Sequence, residues 1–253
     1  MSTTETNLFL HSRWSPQGRK IRRRHRYLPL TITISCSTII SMPGIARIST
    51  LGVPHHATQR GNRWMETFSC DEDYQAYLTL MAEWCRKFSV SVLCYCLMPN
   101  HTHLIAVPES EEGFRRAIGE AHRRYSVMIN RRQNWTGHLW QGRFSSFPMD
   151  EAYLLAAAKY IEMNPVRAWK WSSAKAHADG TDDILVKVSP LLQMVGDWKL
   201  FLRNTDEEDA NRIRGHERTG RALGSDSFLE SLESSLMRAV NRRKAGRKKN
   251  VDE

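Results

Sequence analysis

Apolar residues recur along the middle of the chain with two periods in turn, one suited to strands and one to helices. Pro54 to Arg60 reads as a strand that stops at Gly61-Asn62. Asp71 to Phe88 puts Tyr74, Tyr77, Leu78, Met81, Trp84 and Cys85 on one helical face. Ser89 to Leu97 (SVSVLCYCL) is rich in β-branched and aromatic residues, as a buried strand would be. Met98-Pro99-Asn100 makes a turn, and His101 to Val107 forms the next strand. Glu111 to about Arg132 is helical and basic, and Gly142 to Pro148 is a short strand or connection. Asp150 is placed to cap a helix that runs to Met163 and stops near Asn164, because Pro165 disfavours helical geometry in the residue before it.

The order β-α-β-β-α-(β)-α predicts an α+β fold, an antiparallel sheet of ferredoxin-like or RRM-like type with helices packed on one side. After Trp171 the composition turns polar, and a last amphipathic helix from Phe228 to Val240 leads into the basic tail Arg242 to Lys249. Three stretches result: 1–41, a compact domain over 42–171, and a C-terminal extension with a basic tail over 172–253. In the first, a basic run (Arg19 to Arg26) precedes an apolar, hydroxyl-rich segment (Leu28 to Ile40). That outline is a signal-like one, but the basic run begins too far from the start, and the apolar segment is too short and hydroxylated to span a membrane. We read Met42 as the natural start, with a disordered basic arm as the alternative.

Charge narrows the class of partner. In 253 residues, 37 Lys and Arg stand against 27 acids, a formal net charge of +10. That surplus favours a polyanion, since each phosphate neutralised releases condensed counterions. Five cysteines form no CxxC pair and an odd number cannot all pair, so reduced thiols and a cytoplasmic, nucleoid-associated protein are expected. Cys94 and Cys96 are read as core residues of a strand.

Two short stretches carry candidate chemistry. On a strand, His101 and His103 point to the same face, a ready pair of ligands for a divalent ion, although two histidines can simply decorate a sheet. Tyr160 and Asn164 are four apart and share a helical face; a phenol beside a polarised phosphate can attack phosphorus, and Asn164 offers a neutral oxygen to a hard cation. Taken alone, Tyr160 reads as an ordinary core tyrosine. Tyr125 and Tyr153 are the competing tyrosines. Arg123, Arg124, Arg131 and Arg132 load one helix with charge, Trp140 and Arg143 pair an aromatic with a guanidinium suited to stacking on unpaired bases, and Arg60 beside Gly61 can approach a phosphate.

The strings HHATQRGNR (55–63), CLMPNHTHLIAVP (96–108), GHLWQGRF (137–144), YIEMNPVRA (160–168) and ERTGRALGSDSF (217–228) occur in an order that resembles the HUH single-tyrosine transposases, and within them the REP-associated tyrosine transposases. The likeness runs from about Met42 to Lys249. It implies that 42–171 is the catalytic domain, that His101 and His103 bind Mg²⁺ or Mn²⁺, and that Tyr160 is the nucleophile, forming a 5′-phosphotyrosine link that a 3′-hydroxyl later reverses. Asn164 occupies the place of a polar metal-site residue that is often Gln in relatives. Thr102 departs from the motif, where a bulky apolar residue is usual; it faces away from the histidines. The implied partner is single-stranded or hairpin DNA with REP-like palindromes, acted on by a monomer or homodimer without a membrane. The rival readings are a binding module that holds single strands without cutting them, and a metal-dependent hydrolase with no covalent step.

Overall fold

The computed structural model describes residues 48–110, 112–163, 169–203, 207–237 and 239–240, all within one compact unit, Gly44–Glu253. The leader 1–41, Asn164 and the tail 242–249 lie outside the described residues. Four strands, β1 (His55–Arg60), β2 (Val90–Met98), β3 (His101–Pro108) and β4 (Ser145–Pro148), form one antiparallel sheet in the order β2-β3-β1-β4. Between them run α1 (Asp71–Lys87) and α2 (Gly113–Gln133), and after them come α3 (Glu151–Met163), α4 (Ala174–Asp179), α5 (Ser189–Met194), α6 (Trp198–Phe201), α7 (Glu207–Thr219) and α8 (Asp226–Leu236). The βαββαβ order and the central pair β3-β1 are those of a ferredoxin-like sheet, so the fold is α+β as the sequence pattern predicts.

Alternation along the strands sorts the core into two layers. Ala57, Tyr95, Leu97, Leu104 and Ala106 face α1 and α2, against Tyr77, Met81, Phe114, Ile118 and Tyr125. Cys94, Cys96, Ile105 and Phe147 face the other way, against Leu154, Ala157, Ala158 and Ile161 of α3 together with Leu191, Trp198 and Ile213 of the extension. The two crossover helices thus lie on one side of the sheet, while α3 and the extension cover the opposite face. A β-bulge between Val92 and Cys94 lets β2 turn both Leu93 and Cys94 toward that second layer. The four cysteines among the described residues, Cys70, Cys85, Cys94 and Cys96, are free thiols, the last three buried.

Helix ends are fixed by side chains that also join elements. Asp73, in the acidic first turn of α1, accepts from the Ser69 backbone N–H at 2.9 Å and takes both arms of Arg132, one at 2.8 Å, tying the end of α2 to the start of α1. Asp150 caps α3, accepting from the Tyr153 N–H at 3.1 Å, and its other oxygen accepts from the Ser225 N–H at 2.7 Å. One carboxylate therefore starts the tyrosine-bearing helix and anchors the chain just before α8.

The extension is fastened to α3 through a buried acid. Glu162 accepts from Ser173 Oγ and His177 Nδ1, each at 2.6 Å, through one oxygen, and from Trp198 Nε1 at 2.7 Å through the other. The Ser173 N–H donates to the Tyr95 carbonyl at 3.0 Å and Ser173 Oγ accepts from the Tyr95 N–H at 2.9 Å, joining the same segment to β2. Three donors on one carboxylate satisfy a buried charge that would otherwise be costly.

His55 illustrates a buried neutral histidine on the α1/α2 side. Its Nδ1 donates to the Val53 carbonyl at 2.7 Å, its ring lies 5.0 Å from Phe114, and burial pulls its pKa from 6.5 to about 4. A depressed histidine pKa leaves stability intact above pH 6.5 and removes it as pH falls toward the folded-state value. The folded protein should therefore lose on the order of 2 kcal/mol at pH 5 from this residue. Chemical denaturation at pH 7 and pH 5 checks it: His55→Gln, which keeps a donor and an acceptor, should shrink the acid loss by that amount.

Candidate active site

The second layer of the sheet holds the candidate chemistry. The turn at Pro99-Asn100 delivers His101 as the first residue of β3, and alternation brings His103 to the same face with ring centres 4.9 Å apart. Thr102 between them is buried on the other side, within 3.5 Å of Tyr77 Oη on α1. β1 lies alongside, with Thr58 opposite His103 and Arg60 opposite His101. Gly61 permits this closeness: its N–H donates to the Asn100 carbonyl at 2.8 Å, and a Cβ there would stand 2.2 Å from the Met65 carbonyl oxygen.

α3 crosses this face and brings Tyr160 to the histidines. Its ring centre is 5.8 Å from that of His103 and 6.5 Å from that of His56, edge-on in both cases. Tyr160 is half-buried, and burial, with the nearby Glu217 carboxylate, raises its pKa; Arg214, which reaches the hydroxyl, and Arg60 act in the opposite sense. The Arg214 guanidinium lies 5.7 Å from the ring centre. The phenol is accordingly protonated at neutral pH, with a cation beside it able to stabilise phenolate as it forms.

The two imidazoles are held in a state suited to ligation. His101 Nδ1 lies 2.6 Å from Asn100 Oδ1, an acceptor, so Nδ1 carries the proton and Nε2 keeps its lone pair. Burial, then the neighbouring His103 and Arg60, lowers the His101 pKa to about 4, so the ring is neutral at physiological pH. His103 is 3% exposed, and its Nδ1 faces His56 Nε2 at 3.1 Å and Glu217 Oε1 at 3.4 Å. Glu217 Oε1 is also 3.7 Å from His56 Nε2. Burial pulls the Glu217 pKa up, but the contact with His103 and the fields of the three histidines prevail and leave it lowered. His56, His103 and Glu217 bring three ligand atoms within 4.8 Å of one another, so this corner could itself hold a metal ion.

A cavity of about 180 Å³ opens beside the pair, lined among others by Arg60, His101, His103, Arg143, Glu217 and Arg218. Tyr160 lines a neighbouring cavity of about 490 Å³ together with Lys159, Met163, Phe201 and Arg214. Two imidazoles, a phenol and the four guanidinium groups of Arg60, Arg143, Arg218 and Arg214 line these two cavities, a setting whose positive charge suits a phosphodiester.

Of the residues singled out in the sequence, the fold brings together His101, His103, Tyr160, Arg60 and Arg143. Arg123, Arg124, Arg131 and Arg132 line a groove on α2, on the opposite side of the sheet. Within it Arg123 pairs with Glu120 at 2.7 Å, Arg124 sits 4.6 Å over the Trp84 ring, and Arg132 is engaged by Asp73. Trp140 corrects the expectation of a base-stacking platform: it is 7% exposed, packed against Phe68, Tyr77, His122 and Tyr125, with its Nε1 donating to the His122 carbonyl. Among the described residues, the exposed indoles are Trp64, with the Arg60 guanidinium 3.7 Å from its ring centre, and Trp135. Tyr125 is fully buried on the α1/α2 side with its hydroxyl donating to the Thr67 carbonyl at 2.7 Å, and Tyr153 accepts from Arg212 at 2.8 Å.

His56, Arg214, Glu217 and Arg218 are the site residues that sequence reasoning passed over. Strand alternation puts His56 on the face of Thr58 and Arg60, a usable signal, but only the β1-β3 pairing shows that this face is shared with His103. The three others come from α7, whose burial is confined to Ile213 and whose pattern carries no strong apolar stripe.

No curated protein matches the chain. Among solved structures, a REP-associated tyrosine transposase bound to a REP hairpin aligns with 20% identity over 56% of this chain and 90% of its own, with a TM-score of 0.47. A protein of Deinococcus radiodurans R1 taken to be a transposase aligns with 18% identity over 47% of this chain and 95% of its own, with a TM-score of 0.33. The family model described as "Transposase IS200 like" matches residues 60–164, a span that takes in both histidines of β3 and Tyr160. Through that segment, the chain is similar to the IS200-like transposases.

Proposed function

We propose that this protein is a transposase that cuts and rejoins single-stranded DNA beside a hairpin, with Tyr160 as the nucleophile and His101 and His103 as ligands of a divalent cation. The observation that carries the reading is the convergence of Tyr160 from α3 on the two histidines of β3, with the His101 ring neutral and its Nε2 lone pair free of the Asn100 contact. Those residues fit Mg²⁺ or Mn²⁺, and Asn164, four residues past Tyr160, is the further oxygen ligand we assign. When bound, the cation draws electron density from a non-bridging oxygen of the scissile phosphate.

The protein's own groups perform the rest. Arg60, Arg143 and Arg218 bind the phosphate backbone at the small cavity and orient it. The Tyr160 oxygen attacks phosphorus and passes its proton to water, the bond from phosphorus to the 3′-oxygen breaks, and that oxygen takes a proton from water. Arg214 stabilises the phenolate in this step. The product is a 5′-phosphotyrosine link and a free 3′-hydroxyl. Attack by a 3′-hydroxyl reverses it, and because the ester conserves the bond no nucleotide cofactor is required.

The α2 groove suits a second, sequence-independent contact with backbone phosphates, through Arg123, Arg124 and Arg131. It lies too far round the sheet to share the phosphate held at the histidines.

The test uses 3′-labelled single-stranded oligonucleotides carrying the palindromes that flank the chain's own coding sequence. With Mn²⁺, a labelled protein–DNA band that survives denaturation is expected, and EDTA should remove it. Cleavage without such a band would favour a metal-dependent hydrolase, and binding without either would favour a passive module.

A further inference from the structure

The extension does more than cover the sheet. We infer that Glu217 of α7 is a positioning residue of the metal centre, holding the His103 imidazole with Nδ1 protonated so that Nε2 is left to bind the cation. This rests on the proposed metal role of His101 and His103.

Three observations support it. First, the Glu217 Oε1 atom is buried with no hydrogen bond of its own, an unsatisfied acceptor that stands 3.4 Å from His103 Nδ1 and 3.7 Å from His56 Nε2. A carboxylate so placed favours a proton on the nitrogen that faces it. Second, His103 has a single other nitrogen, and a neutral ring protonated at Nδ1 presents its lone pair at Nε2. Third, the arrangement matches in kind what Asn100 does for His101, where an amide oxygen stands 2.6 Å from Nδ1. Both histidines are then oriented by an oxygen acceptor behind the ring, the arrangement that fixes the tautomer and raises ligand basicity in metal sites. His56 contributes as a neighbour: its Nε2 offers the same proton a second acceptor at 3.1 Å and closes the back of the ring to solvent.

Residue 217 lies beyond the span of the family match, 60–164. In this chain the region after Trp171 therefore supplies part of the site rather than a separate appendage.

Titration of the full-length protein with Mn²⁺, followed by the electron paramagnetic resonance signal of the free ion, reads the effect without any turnover. Wild type should bind. Glu217→Ala should bind 10–100-fold more weakly, the usual loss when a partner behind a metal ligand is removed. Glu217→Gln, which keeps an oxygen acceptor for Nδ1, should stay within about threefold of wild type. His101→Ala, lacking one of the two proposed ligands, should lose the most. Thermal melting verifies that each variant is folded, and Glu217→Leu replaces the alanine variant should the latter not fold. Wild-type affinity in Glu217→Ala or Glu217→Leu would overturn the inference while leaving the metal reading intact. So would loss of binding in both Glu217→Ala and Glu217→Gln with His101→Ala unaffected, because the ion would then sit among His56, His103 and Glu217. Absence of Mn²⁺ binding in wild type would instead sink the metal reading itself.

Discussion

Replacing Tyr160 by Phe should abolish the covalent protein–DNA adduct, with strand cleavage down by at least about 10³-fold. The change removes one oxygen and leaves the ring where it packs, edge-on to His103 and His56. The arginines that line the small cavity are untouched, so hairpin binding should stay within about threefold, less than ~1 kcal/mol. That split between chemistry and affinity is what distinguishes a nucleophile from a tyrosine that holds DNA by stacking. A structural role for the hydroxyl would instead lower the melting temperature, and the phenol's hydrogen-bonding partner Arg214 is itself on the surface side of α7, where losing one bond costs ~1 kcal/mol. Gel analysis of adduct formation beside a binding isotherm on the same labelled hairpin checks both halves of the expectation. Cleavage by Tyr160→Phe at the wild-type rate would mean that water, and not this chain, attacks the phosphate.

The second large effect is on stability. Glu162→Ala removes the acceptor shared by Ser173, His177 and Trp198, all three in the extension. Three buried donors would then lack their partner, and the side chain's volume would be left as a void. A loss of roughly 3–5 kcal/mol is expected, as for a broken buried charge pair. For a domain of this size that lowers the melting temperature by roughly 6–20 °C. Because the acid sits two residues after Tyr160, the adduct yield should fall as well, through displacement of α3 from the histidines. Glu162→Gln keeps one oxygen but sets an amide against a donor, so an intermediate loss is expected. Calorimetric scans of the three proteins test the order, and an unshifted melting temperature in Glu162→Ala would show that the extension is held by apolar packing alone.

Much of the fold was legible because the strands and long helices obey simple periods. The helical stripe from Tyr74 to Cys85 became the buried face of α1, and Asp150 caps α3 as its position before an apolar run implies. The short helices α4 to α6 were not legible: at four to six residues they are too short to show a 3.6-residue period, and their placement depends on Glu162 and on docking to β2. In the site, His101, His103 and Tyr160 could be named from motif order, since each sits in a local pattern with a recognisable chemistry. His56 and Glu217 could not, because their meaning comes from strand pairing and from a helix more than a hundred residues after the histidines. Trp140 was misread for a related reason. An indole beside a guanidinium suggests a stacking surface, yet the chain turns this ring into the aromatic cluster under α2, where Phe68, Tyr77, His122 and Tyr125 pack against it.

Protein trapped on DNA offers the most direct measurement. After trypsin, Tyr160 begins its own peptide, residues 160–167, whereas Tyr153 falls in 144–159 and Tyr125 in 125–131. Mass spectrometry of the nuclease-trimmed adduct should find the nucleotide remnant on 160–167. Finding it on either of the other two peptides would contradict the assignment of the nucleophile.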